Sequence, residues 1–201
     1  MGRLKATLYD LCMQLAAVRI DPLRRRVVAP TRGRVLELGI GTGLNLRHYG
    51  PNATVVGVEP NRDMLKRAAP RAAAATAPIS LIAGYGESLP FRDSSFDEVV
   101  VTLVLCSVGS PMATLAELHR VLKPGGTLRF LEHVRSPSVG WARVQDIVTP
   151  FWRAIADGCC PNRTTETSIT RARFAIETID RFSLGPYPTR PQILGSATRD
   201  G

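Results

Sequence analysis

Residues 35–45 read VLELGIGTGLN and residues 55–61 read VVGVEPN. In the first run Gly39, Gly41 and Gly43 alternate at the end of an apolar stretch, with Glu37 two residues ahead of the first glycine. In the second, Glu59 stands twenty residues after Gly39. A glycine loop lets a ligand lie against bare main chain, and an acid at the next strand tip accepts hydrogen bonds from both hydroxyls of a ribose. Together they point to a nucleoside-type cofactor. A dinucleotide fingerprint wants G-x-G-x-x-G/A, and Leu44 stands where the third small residue belongs. A ligand without a pyrophosphate does not need that glycine. A ligand carrying an ammonium does want an acid nearby, and Glu37 supplies one. S-adenosyl-L-methionine meets both conditions.

The elements that must hold these residues follow from hydrophobic periodicity. Leu4, Leu8, Leu11, Leu15 and Val18 recur at helical spacing within residues 3–28, and Asp21-Pro22 is expected to interrupt and restart that helix. Strands are expected at Arg34–Leu38, Thr54–Val58, Ile79–Ala83, Phe96–Leu103 and Thr127–Glu132. Helices are expected at Leu44–Tyr49, at Asn61–Ala75 with Asn61 as N-cap, at Met112–Leu122 before the Lys123-Pro124-Gly125-Gly126 stop, and at Val139–Ala156. Arg173–Phe182 and Pro191–Thr198 are expected to close the sheet as a strand pair. Strands alternating with helices give an α/β class: a single doubly wound, Rossmann-like domain around a mostly parallel seven-stranded sheet, with helices on both faces. Residues 1–30 are read as an N-terminal helical lid segment and 31–201 as the domain proper.

Composition narrows the function classes. A chain of 201 residues with 44% hydrophobic and 6% aromatic content suits one globular domain. No apolar run reaches the ~18 residues of a membrane span, and the charged N-terminus lacks a secretory cleavage site, so a cytoplasmic address is expected. Cys12, Cys106, Cys159 and Cys160 have no CxxC spacing and read as reduced thiols; with His48, His119 and His133 they show no zinc-ligand spacing, so no metal is expected. The net charge of +9 comes from scattered Arg without aromatic platforms, which disfavours nucleic acid. The Arg24-Arg25-Arg26 run leaves room for a weak peripheral membrane contact. The oligomeric state is not legible.

VLELGIGTG, VVGVEPN, GYGESLPF, FDEVVVTLVLCSV and LHRVLKPGG resemble, in order over residues 31–135, the successive motifs of class I S-adenosylmethionine-dependent methyltransferases. FLEHVRS, the run from Trp141 to Cys159 and RPQILGSA are further similar to the thiol S-methyltransferase branch and its bacterial relatives. The resemblance implies methyl transfer to a small lipophilic acceptor, plausibly a thiol. It places Gly39, Gly41 and Gly43 along the methionine half of the cofactor and Glu59 on the ribose. Asn61 and Met64 would flank the adenine, Gly86 and Glu87 fall in the adenine-side loop, and Thr102 and Leu103 lie near the sulfonium. Tyr85 stands where many relatives carry Asp.

For the acceptor, His133 at the end of the fifth strand is the candidate base, with Glu132 and Asp157 beside it as further catalytic candidates. Cys106 reads as a small buried hydrophobe, Phe151-Trp152 as a wall, and Arg163 as either an anion attractor or a solvated cation. The competing readings are a quinone C-methyltransferase or phospholipid N-methyltransferase, a catalytically silent cofactor-binding module, and a dinucleotide oxidoreductase that Leu44 disfavours.

Overall fold

The computed structural model describes residues 19–200. Residues 19–28 are helical (α1) and continue unbroken through Asp21 and Pro22, so the expected interruption is not found there. The ring of proline already holds a helical φ, which fits that continuity. Residues 3–18 of the expected helix lie outside the described residues. The chain then runs β1 (Gly33–Leu38), a 3-10 turn (Leu46–His48), β2 (Ala53–Glu59), α2 (Arg62–Ala73), β3 (Ile79–Ala83), β4 (Phe96–Thr102) and α3 (Pro111–Val121). It closes with β5 (Leu122–His133), α4 (Val139–Ile155), α5 (Thr165–Arg171), β6 (Phe174–Ser183) and β7 (Pro191–Arg199).

The seven strands lie in the order β3-β2-β1-β4-β5-β7-β6. Neighbours from β3 through β5 are parallel, and β7 runs antiparallel to both β5 and β6. The chain winds outward from β1 to β3 and returns beside β1 as β4. That reversal opens a crevice outside the carboxyl ends of β1 and β4, where open α/β sheets bind ligands.

Central strands buried on both faces need apolar residues at consecutive positions. Val99, Val100 and Val101 of β4 are all fully buried. Alternation sends Val99 and Val101 into one core with Leu36, Leu115, Leu118, Phe130 and Ile169. Val100 goes to the opposite core with Val28, Val35, Leu46 and Tyr49. The first core seats α3 and α5, and the second seats α1.

Three local expectations are revised. The helix expected at Leu44–Tyr49 contracts to the 3-10 turn, because Asn45 turns its side chain inward to a buried network. β5 begins at Leu122: Phe96 pairs with Leu122 and Glu98 with Thr127, so the Pro-Gly-Gly stretch loops out as an irregularity within the strand. Helix α5 was not anticipated from the polar run TETSITR; burial of Thr165 and Ile169 secures it against low intrinsic propensity. Among the described residues no helix is long and apolar enough to cross a membrane.

Candidate active site

The glycine loop leaves β1 at the crevice. Gly39, Gly41 and Gly43 have φ of 65°, 56° and 82°, a left-handed region that side chains resist. At Gly39 a Cβ would also fall 2.5 Å from Val104 Cγ2 on the loop after β4, so this glycine lets the two loops touch. At Gly41 a Cβ would meet nothing nearer than the Gly39 carbonyl at 3.9 Å, so its open side faces the crevice.

Glu59 closes β2 and reaches back to that loop. Its Oε2 accepts from Gly41 N–H at 3.1 Å and its Oε1 from Asn61 N–H at 3.0 Å. Each carboxylate oxygen has two acceptor directions, so one on each remains for two hydroxyls. Burial raises the Glu59 pKa, the two amides oppose the rise, and the charge of Asp157 adds to it. Asp157 itself is exposed, at φ 51° just after α4. Asn61 caps α2, accepting from Asp63 N–H and Met64 N–H, and Met64 is buried beneath it.

Glu37 is 1% exposed. Its Oε1 accepts from Asn45 Nδ2 at 2.8 Å, and the same amide donates to Thr102 Oγ1 at 2.8 Å. Arg24 Nη1 donates to Asn45 Oδ1 at 2.8 Å and approaches Thr102 Oγ1 at 3.4 Å. α1 therefore supplies a cation to a network joining the tips of β1 and β4. Arg24, Asn45 and Tyr49 carried no signal in the sequence beyond their polarity. Burial pushes the Glu37 carboxyl up to about 7, against the pull of Tyr49, Asn45 and Arg24. Tyr49 is close enough to act on the charge, yet neither its hydroxyl nor Glu37 Oε2 has a partner at hydrogen-bond geometry. A buried carboxylate oxygen with only the Tyr49 hydroxyl near it keeps acceptor capacity beside a bare main-chain loop, which suits a ligand that brings an ammonium.

On the other side of the crevice Gly86 is buried against Leu38 and Thr114, and Glu87 Oε1 accepts from Ser110 N–H at 3.2 Å, at the start of α3. Tyr85 beside them is exposed. Leu103 follows Thr102 at φ 60°, a strained value for a bulky residue.

Glu132 and His133, adjacent at the end of β5, have different surroundings. Glu132 is fully buried; its Oε1 accepts from Val104 N–H at 2.8 Å and Leu105 N–H at 2.9 Å, and its Oε2 from Cys106 N–H at 3.1 Å. Those amides hold the turn that begins at strained Leu103. Expected among the catalytic candidates, this carboxylate is committed to main chain. His133 is half-buried, with Nδ1 at 3.9 Å from Cys106 Sγ and 3.7 Å from Cys159 Sγ. Cys106, expected as a plain buried hydrophobe, is buried but belongs to this cluster, which the chain assembles from three distant segments. The neighbouring Cys159 and burial push the Cys106 thiol well up, while Cys106 pulls Cys159 down.

The surrounding loops are pinned by two side chains that sequence reading assigned elsewhere or missed. Arg163 donates to the Leu105 carbonyl and, at 2.7 Å, to that of Val108, so it clamps the loop after β4 instead of facing an acceptor. Buried Gln145 of α4 accepts from Ser136 N–H at 2.7 Å, and the carbonyls of Val134, Pro161 and Pro188, at 3.2, 3.1 and 2.9 Å from Nε2, share its two amide hydrogens. Phe151 is 78% exposed and forms no wall, and it shares the outer side of α4 with exposed Val144, Ile147 and Ile155.

Residues 36–130 match the Methyltransferase domain family. The chain is 40% identical over 173 residues to thiol S-methyltransferase TMT1B of Rattus norvegicus, covering 82% of this chain and 70% of that one. It is 36% identical over 134 residues to the ubiquinone/menaquinone biosynthesis C-methyltransferase UbiE of Syntrophotalea carbinolica, covering 62% and 56%. A solved S-adenosylmethionine-dependent methyltransferase from Mesorhizobium loti, 24% identical, superposes with a TM-score of 0.65 over 89% of this chain and 96% of its own. That last likeness speaks for the fold. A doubly wound sheet with a glycine loop between two strand-tip carboxylates defines an S-adenosylmethionine-dependent methyltransferase, with S-adenosyl-L-methionine as cofactor and a small molecule as acceptor. Within that class the chain belongs to the thiol S-methyltransferase family.

Proposed function

We propose that this enzyme methylates the sulfur of small lipophilic thiols. The observation that carries the acceptor class is the relationship to a thiol S-methyltransferase, which spans more of the chain than that to the quinone enzyme. The cofactor, when bound, supplies a methyl carbon already activated by its positive sulfur. The protein's task is to hold the partners collinear and to exclude water, and such positioning is worth on the order of 7–11 kcal/mol.

On this reading Gly39, Gly41 and Gly43 bear the methionine end and the unpartnered oxygen of Glu37 takes its ammonium. Glu59 holds the ribose, Asn61 and Met64 flank the adenine with Gly86 and Glu87 beyond it, and Thr102 and Leu103 border the reacting centre. Residues 1–30 act as the lid segment over residues 31–201, with Arg24 as its link to the network beneath. His133 handles the acceptor. Glu132 positions the Val104–Cys106 turn, and Asp157 shapes the charge around Glu59. A cytoplasmic setting, which would keep Cys106, Cys159 and Cys160 as thiols, is part of the reading. A weak attraction to anionic membrane remains part of the reading through the exposed Arg25 and Arg26, Arg24 being turned inward.

An acceptor screen with radiolabelled methyl donor tests this across alkyl thiols, quinols and phospholipids. Label in methyl thioether is the expected result. Label in the quinol alone would transfer the enzyme to the reading that the UbiE likeness favours.

A further inference from the structure

Two thiols and an imidazole nitrogen from three separate segments converge at the acceptor side of the crevice. Cys106 lies on the loop after β4, His133 ends β5, and Cys159 lies on the loop after α4. Their three ligand atoms all fall within 4.8 Å of one another, with His133 Nδ1 at 3.9 and 3.7 Å from the two sulfurs. Tetrahedral zinc binds sulfur at about 2.3 Å and imidazole nitrogen at about 2.0–2.1 Å, which sets the edge between two such ligands at roughly 3.6 Å. The two nitrogen–sulfur spacings are within a few tenths of an ångström of that edge, and the two sulfurs lie within 4.8 Å of each other. We propose that Cys106, His133 and Cys159 form a Cys2His site for a zinc ion.

The surroundings are built for it. Cys160 N–H donates to the Cys106 carbonyl at 2.7 Å, which fastens the loop carrying one sulfur to the loop carrying the other. Glu132 holds Cys106 N–H at 3.1 Å, and its carboxylate acts electrostatically on both thiols, placing negative charge beside a cation. Outer-shell groups of this kind orient ligands and sustain affinity. No fourth His, Cys, Asp or Glu joins the cluster among the described residues. Three protein ligands with one open position are the pattern of a zinc that binds a reactant.

The fourth position is the place for the acceptor. Resting on the S-methylation reading, the inference is that a small thiol displaces water there and binds as thiolate, its proton passing to solvent. Metal coordination deprotonates a thiol outright. That removes the need for a side-chain base, which suits a site where Glu132 is consumed by three amides and His133 faces two sulfurs. The site lies along the cofactor crevice: Asp157, two residues before Cys159, is felt by Glu59.

The test uses the full chain, kept reduced with a phosphine, stripped by chelator and dialysed against Zn2+ or Co2+. One zinc per chain by elemental mass spectrometry and a sulfur-to-cobalt charge-transfer band are expected. Cys159→Ser and His133→Ala should each weaken zinc binding by more than the roughly 100-fold that loss of an outer-shell partner costs. Cys160→Ser should retain the ion. Adding 2-mercaptoethanol to the cobalt form should intensify the band. Thiol methylation at full rate by protein that binds no stoichiometric zinc would overturn the site and leave the S-methylation reading standing. Zinc bound equally by both ligand variants would also overturn it. A cobalt band that responds to 2-mercaptoethanol, in a protein that methylates no thiol, would uphold the site and remove the proposed reaction instead.

Discussion

The crevice has two halves built by different means. On the proposed reading its cofactor half, at β1 and β2, is main chain and the carboxylates of Glu37 and Glu59, so one contiguous segment, residues 37–59, carries most of the recognition. Its acceptor half, at β4 and β5, is assembled from residues 106, 133 and 159, and is held in shape by Glu132, Gln145 and Arg163. The first half reads a constant ligand and tolerates little change in its backbone. The second depends on long-range packing, which lets the acceptor preference diverge while the cofactor cradle stays fixed.

Substitutions that touch one half and spare the other sharpen this contrast. The largest effect is expected for Glu132→Ala, which leaves three buried N–H groups without an acceptor. A loss on the order of 3–6 kcal/mol follows from the cost of each orphaned donor. Urea unfolding would read it, and a loss below about 1 kcal/mol would mean the loop after β4 is anchored otherwise. Next, Glu59→Ala removes both the proposed sugar acceptor and the tie from β2 to Gly41. Calorimetry should show S-adenosylmethionine binding weakened at least ~100-fold, about 2.7 kcal/mol, with the fold intact. Near-normal affinity would strip Glu59 of its part.

A smaller effect, confined to the acceptor half, is expected for His133→Ala. Its kcat/KM for a thiol should fall about 100-fold while cofactor affinity stays within twofold. Equal losses in both quantities would show that the halves are coupled after all.

The smallest change in cofactor affinity is expected for Glu37→Gln, whose effect on stability depends on pH. With its carboxyl raised to about 7 from 4.5, folded protein keeps a proton that unfolded chain releases. Its contribution to stability therefore falls as pH rises from 4.5 to about 7 and is flat above, a difference of about 3 kcal/mol. The variant should be more stable than the parent at pH 8 and indistinguishable at pH 4. It should also bind the cofactor about 10-fold more weakly at pH 8, for want of a charged acceptor. In the parent, affinity should climb from pH 6 to pH 8 as Glu37 ionises. A flat profile across that range would detach Glu37 from the ammonium.

The same division explains what the sequence disclosed. The positions of Gly39, Gly41, Gly43 and Glu59 are legible because a turn and a strand tip fix their geometry locally, and the strands from β1 to β4 follow from apolar runs. Asn61 was legible as a cap for the same reason. Arg24 and Asn45 were not, since their value lies in a network that closes only when α1 packs across β1 and β4. The cluster of Cys106, His133 and Cys159 has no spacing to read; its geometry is a property of the sheet order. Helix α5 escaped notice because burial of Ile169 outweighs the propensity of its polar neighbours.

Gln145 carries a consequence for motion. One amide ties the loops after β5, after α4 and between β6 and β7, and the Arg135 N–H bond to the Arg163 carbonyl at 2.9 Å reinforces the first two. Admission of a bulky substrate then favours a swing of all three as one block, because moving any one alone breaks its share of that knot.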